Sequence, residues 1–349
     1  MATQEMTPRE RMMAAINHQR PDRVPRVNYI PENPFYKLGR PAADLLKEFP
    51  SDHDDTALWP PVRDPRYVRP DGSWDRIWRD EWGCVRHETE YGIEGIVVKE
   101  PLADWSAYGD YCLPQAPPCD PDHHEVAARR AEILRKKGRY YIRLCFFRLF
   151  ERLHYLHGME ATMVDLMTGE ERLADLADRI VERNIAEIRW AAAAGADAVT
   201  QSDDWGTQTS LMISPETWRS FFKPRYRKTF EVARELGLDV WFHSDGHIID
   251  ILPDMAELGV KVVNPQFSCH DLGALAAAFK KNRLAVLTDL DRQRIIPFGT
   301  PGQIRTHVKD IVEAFDAKNG GLVGQAECRG DVPLRNIRAV FEAWREFGG

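Results

Sequence analysis

The sequence predicts a (β/α)8 TIM-type barrel, an α/β architecture with an aromatic-rich N-terminal insertion. From about residue 125 to the C-terminus, short apolar segments alternate with longer helical patterns. Repeated strand–helix units of this kind imply a parallel sheet, and about eight of them suggest closure into a barrel. Glycine and proline punctuate the alternation. Gly195, Gly237 and Gly259 each stand where a helix should stop, and Pro215, Pro301 and Pro333 stand where helices should start.

The elements follow in order. Thr7 reads as an N-cap, with Pro8 in the first turn and Glu10 completing a capping box, so a helix carrying Met12, Met13, Ala15 and Ile16 is expected before Arg20-Pro21-Asp22. A strand follows at 24–30. Residues 31–120 are rich in Pro, Trp, Asp and Arg and poorly periodic. They are expected to form an ordered but irregular insertion within a single domain spanning 1–349, with Trp74, Trp78, Trp82 and Trp105 as packing anchors, because disordered segments are poor in aromatics. Strands are then expected at 140–145, 198–201, 238–242, 260–263, 284–287 and 321–325. Helices are expected at 126–137, through 176–194, and at 215–236, 248–258, 272–279, 301–315 and 334–347.

Composition narrows the function. The chain has 349 residues, 43% of them hydrophobic and 29% charged, enough for a large core. No apolar run approaches the roughly 18–20 residues of a membrane helix. A net charge of −7 argues against a broad nucleic-acid surface. The N-terminal residues lack an apolar signal region, and six cysteines are scattered without CxxC spacing, so a cytoplasmic protein with free thiols is expected.

In a barrel the strand C-termini form the active face. The strand expected at 238–242 runs into His243-Ser244-Asp245-Gly246-His247, and the last one runs through Gln325 into Glu327-Cys328. Two strand ends carrying His, Asp, Glu and Cys point to a metal site with His243 and Cys328 as ligands and Asp245 or Glu327 as the third. Asp203, Asp204, His247 and Asp289 are the candidate catalytic residues, and Asn28, Tyr29, Arg148 and Gln325 the candidate substrate contacts. Of the Asp203–Asp204 pair, one carboxylate is expected to reach the pocket and the other to bond nearby backbone. The competing reading for each Asp or Asn is a helix cap.

The chain also resembles the uroporphyrinogen decarboxylase superfamily. The resemblance rests on Thr7-Pro8-Arg9-Glu10-Arg11, Arg20-Pro21-Asp22-Arg23-Val24-Pro25, Asp80-Glu81-Trp82-Gly83 and Asp203-Asp204-Trp205-Gly206. It continues through Ile213-Ser214-Pro215-Glu216, Phe222-Lys223-Pro224, Phe242-His243-Ser244-Asp245-Gly246 and Gly299-Thr300-Pro301. The Arg-Gln-Ala-Gly-Arg segment of true decarboxylases is replaced by Arg26-Val27-Asn28-Tyr29-Ile30-Pro31. The resemblance is therefore closer to the corrinoid- and zinc-dependent methyltransferases and O-demethylases. In that branch a His-x-Cys pair and a later Cys hold zinc; His243 and Cys328 match the outer two, and Asp245 stands in place of the middle Cys. The resemblance implies methyl transfer from a small methylated or methoxylated substrate to a corrinoid protein or cofactor, with an O-demethylase as the nearest model. The alternative is a metal-free lyase acting on a small carboxylated substrate. Asp245-Gly246-His247-Ile248-Ile249-Asp250 only approximates the corrinoid signature Asp-x-His-x-x-Gly, so any corrinoid is expected on a separate partner protein. The family also suggests a homodimer.

Overall fold

The computed structural model describes residues 5–53 and 64–349. Ten strands are found among them: β1 (Arg26–Val27), β2 (Arg76–Arg79), β3 (Val85–Glu88), β4 (Ile96–Lys99) and β5 (Arg143–Phe147), then β6 (Ala198–Ser202), β7 (Asp239–Ser244), β8 (Val260–Pro265), β9 (Ala285–Leu287) and β10 (Leu322–Gln325). Seven of them form one sheet in the order β1-β10-β9-β8-β7-β6-β5, parallel throughout. The expected α/β barrel architecture is present, with seven parallel strands rather than eight among the described residues. The sheet curls, since Val27 and Arg143 on its two edge strands line the same cavity.

Helix Pro8–Ile16 forms where the capping box places it, with Thr7 and Glu10 bonding reciprocally. Met12 and Ile16 pack with Val27, Ala198, Trp241, Val262, Ala285 and Val323, so this helix plugs one end of the sheet's concave interior. Arg9 pins it through an ion pair with Asp197 at 2.6 Å. The long helices cover the outer face. One of them, Glu171–Ala194, ends at Gly195 in the left-handed region (φ 89°), where a side chain would be strained. Around residue 218 the expected single helix 215–236 contains a π-turn, Trp218–Phe222, that carries Trp218 and Phe222 into an aromatic cluster with Phe150, Trp205, Tyr226, Phe230 and Phe242.

The insertion departs from expectation. Its segment 54–63 lies outside the described residues. The rest is regular where irregularity was expected: helices Glu32–Leu38 and Arg40–Glu48, then an antiparallel sheet β2-β3-β4. These strands do not alternate charged and apolar residues, reading Arg-Ile-Trp-Arg and Ile-Val-Val-Lys, and they are only partly buried, so the period-2 signal is weak. Trp74 and Trp82 are buried, as packing anchors should be. No helix among the described residues is long and apolar enough to cross a membrane.

Candidate metal centre

The C-terminal ends of β6 and β7 bring three ligating atoms together. Asp204, His243 and Asp245 each offer one, all within 4.8 Å of one another. In the parallel register Ser202 lies beside His243, which puts Asp204 and Asp245 on adjacent loops. His243 Nε2 stands 3.7 Å from an oxygen of each carboxylate. Its other ring nitrogen, Nδ1, lies 2.7 Å from Asn264 Oδ1. The Asn264 amide donates to the Leu287 carbonyl at 2.8 Å, so its oxygen is turned toward the imidazole. His243 Nδ1 therefore donates to Asn264, and Nε2 is the nitrogen turned to the two acids. A histidine oriented this way by its far nitrogen is the usual arrangement for metal ligation.

The neighbouring charges are arranged around Arg292. Its buried guanidinium pairs with Asp245 and Glu327 and lies 3.7 Å from Asp289. Burial pushes the Asp289 carboxyl up to about 7, Glu327 and Asp245 add to the shift, and Arg292 opposes it. Asp204 accepts the Asp245 amide at 2.8 Å. Asp245 Oδ1 is buried and has no hydrogen-bond partner among the described residues. A buried carboxylate oxygen left bare beside an imidazole nitrogen fits a cation-binding group.

The neighbouring pair divides as an extended chain requires, with successive side chains on opposite faces. Asp204 joins the ligand group. Asp203 is fully buried on the other side and accepts from the Leu149 amide (3.1 Å), the Glu151 amide (2.8 Å), Gln201 Nε2 (2.6 Å) and the Tyr226 hydroxyl (2.6 Å). Burial and Glu151 raise its carboxyl to about 7 against the pull of these donors. The expected catalytic role for Asp203 is thus corrected to a structural one: it anchors the start of helix Phe150–His157.

The same alternation corrects the expected His243–Cys328 ligand pair. Gln325 and Glu327 line the cavity, whereas the Cys328 side chain is fully buried in the hydrophobic core, and burial pushes its thiol up to about 12. Glu327 is held by Arg292 and by Arg329 at 3.0 Å, outside the three-atom group. His247 also turns away from the group, stacking on His270 with ring centres 4.7 Å apart.

Below the ligand group lies a cavity of about 510 Å³ lined by Tyr29, Arg143, Phe146, Trp241, His243 and Gln325, among others. Tyr29 and Gln325 thus sit where substrate contacts were expected. Asn28 does not: it is buried, and its amide donates to the Phe49 carbonyl at 3.1 Å. Arg148 is bound to Glu94 (3.0 Å) and Glu151 (3.1 Å) and does not line the cavity. Sequence reasoning missed Arg292 and Arg143. Arg292 follows Asp289 by one helical turn's spacing, a usable signal; Arg143 begins its strand, and a search confined to strand ends passes over it.

A candidate ligand group beside a cavity at the C-terminal ends of parallel strands is placed as the active sites of barrel enzymes are. The uroporphyrinogen decarboxylase (URO-D) family model matches residues 150–347, more than half of the sequence, and the chain belongs to that family. Over 198 residues it is 25% identical to the methylated-thiol–coenzyme M methyltransferase of Methanosarcina mazei. That match covers 55% of this chain and 49% of the relative, so the chain spans about half the length of that relative. Its fold is similar to that of a solved methyltransferase from Methanosarcina mazei, with a TM-score of 0.69 over 99% of this chain and 100% of the other, at 17% identity.

Proposed function

We propose that the protein is a metal-dependent methyltransferase of the URO-D family, taking a methyl group from a small methylated or methoxylated compound and passing it to a corrinoid carried by a partner protein. The observation that carries this reading is the Asp204–His243–Asp245 group, with its bare Asp245 oxygen and its imidazole oriented by Asn264. Membership of the family and the methyltransferase relatives support it. A zinc ion bound there would supply a Lewis acid for the heteroatom that carries the methyl group. Asp204, His243 and Asp245 would hold it, Asn264 would keep the imidazole in the binding tautomer, and Arg292 would balance the surplus acids. A ligand set of one imidazole and two carboxylates is harder than one containing thiolate, so a harder divalent metal competes at this site.

The test is in two stages. Zinc binding is measured by equilibrium dialysis for the wild type, His243→Ala, Asp204→Ala and Cys328→Ser. The first two substitutions should lower metal content severalfold and Cys328→Ser should leave it intact. Methyl transfer is then followed as the spectral change of cob(I)alamin to methylcob(III)alamin with methoxylated donors. A wild type that stays metal-free in excess zinc sinks the metal reading. Full metal loss in Cys328→Ser would restore the thiolate that the geometry excludes.

A further inference from the structure

Arg143 opens β5, and its guanidinium carbon lies 4.6 Å from the centre of the Trp241 ring. That ring is itself held. Its indole N–H faces the Tyr141 hydroxyl at 3.4 Å, and Tyr141 donates to Asp239 at 2.7 Å. The guanidinium therefore rests on a fixed aromatic platform, an arrangement that orients a cation without neutralising it.

Among the described residues the Arg143 guanidinium has no hydrogen-bond or ion-pair partner. Other arginines near the site do: Arg148 holds Glu94 and Glu151, and Arg292 holds Asp245 and Glu327. Glu132, which shares a smaller pocket with Arg143, is engaged by Arg129 (2.6 Å) and Lys136 (3.0 Å). Burial lowers Arg143 to about 10, which leaves it cationic at neutral pH. Arg143 is half-buried, and a cation partly withdrawn from water without a counter-charge is a ready partner for an anion arriving from outside.

Among the described residues Arg143 is also the one arginine or lysine in the cavity lining, which otherwise includes apolar walls from Val27, Phe146 and Leu287. Trp241 and His243 lie two residues apart on β7 and both face this cavity. At parallel-strand rise that is about 6.6 Å along the strand, so Trp241, which carries the guanidinium, and His243, which belongs to the ligand group, are near neighbours on one wall. We infer that Arg143 is the anchor for a single carboxylate head on a small substrate, which directs the substrate's other end to the Asp204–His243–Asp245 group. Guanidinium and carboxylate match in plane and spacing, and a second carboxylate would meet Glu327 at the rim. The assignment of the far end as methyl-bearing rests on the proposed methyl transfer; the anchoring of an acid does not.

The test therefore reads binding, not turnover. Affinity of the full chain for 3-methoxypropionate and for the neutral 3-methoxypropionamide is measured by saturation-transfer NMR and calorimetry at pH 7.5, with wild type, Arg143→Gln and Arg143→Lys. The acid should bind the wild type at least ten-fold more tightly than the amide. Arg143→Gln should erase that preference by weakening the acid alone, and Arg143→Lys should keep part of it. Equal binding of acid and amide by the wild type overturns the inference, as does an intact preference in Arg143→Gln or the absence of saturable acid binding. Circular dichroism of each variant checks folding, and Arg143→Lys decides the question should Arg143→Gln misfold. Methyl transfer could fail while this preference holds, and the reverse, so the two readings stand or fall separately.

Discussion

Replacing Asp203 by alanine should destabilise the protein more than any substitution in the ligand group. The side chain is fully buried and accepts hydrogen bonds from four groups: two backbone amides at the start of helix Phe150–His157, the Gln201 amide and the Tyr226 hydroxyl. At pH 8, above its raised value of about 7, the carboxylate is ionised. Each buried donor left unpaired costs about 1–3 kcal/mol, so four give roughly 4–12 kcal/mol as an upper range. Water entering the vacated space would satisfy two or three of them, and the desolvation of the carboxylate itself is relieved. The one or two donors left dry cost roughly 1–6 kcal/mol, partly offset by that relief, so the net expectation is about 2 kcal/mol. Asp204→Ala removes a half-exposed acid that accepts one amide and should cost about 1 kcal/mol. Urea unfolding at pH 8, followed by circular dichroism and tryptophan fluorescence, measures both. An Asp203→Ala variant within about 1 kcal/mol of wild type, or no less stable than Asp204→Ala, would refute the division of labour between the two residues.

Two further outcomes are expected. Asn264→Ala should lower zinc affinity by about 10–100-fold, because the imidazole loses the acceptor that fixes its tautomer; competition against a chromophoric chelator measures it, and an unchanged affinity removes Asn264 from the site's design. His154 is held at about 4 by burial, with Arg152, Arg148 and Arg86 adding to the shift. Its folded value lies below the unfolded value of about 6.5, so its contribution is present above about pH 6.5 and lost as pH falls toward 4, up to about 3 kcal/mol in all. His154→Leu should flatten the fall of unfolding free energy across that window, and an unaltered slope would count against it.

The barrel half of the fold was legible because its signals are local. Gly195 and Gly237 end helices, Pro301 and Pro333 begin them, and the apolar runs between are short enough to be strands. The β2-β3-β4 sheet was not legible, since strands such as Arg76–Arg79 are short, bury little and show no alternation of charged and apolar residues. At the site, reading strand ends located His243, Asp245, Asp204 and Gln325 but could not say which member of an adjacent pair faces inward. Asp203 against Asp204 and Glu327 against Cys328 are decided by chain direction at the strand end, a tertiary property. Arg143 was invisible for another reason: its function, if anchoring, comes from having no partner, and a missing partner leaves no pattern in a sequence.

One contact near the site sets how far the chemistry can be altered. Gly206 and Gly246 sit backbone against backbone, so closely that a Cβ on either would overlap the other loop, and Gly206 N–H donates to the Asp245 carbonyl while His247 N–H donates to Thr207. The spacing between Asp204 and Asp245 is thereby a dimension of the main chain, not of adjustable side chains. If the proposed ion binds there, the two loops would have to move as one piece to bring the two main chains nearer or farther apart. Selectivity among cations would then be inherited from two residues that carry no side chain at all.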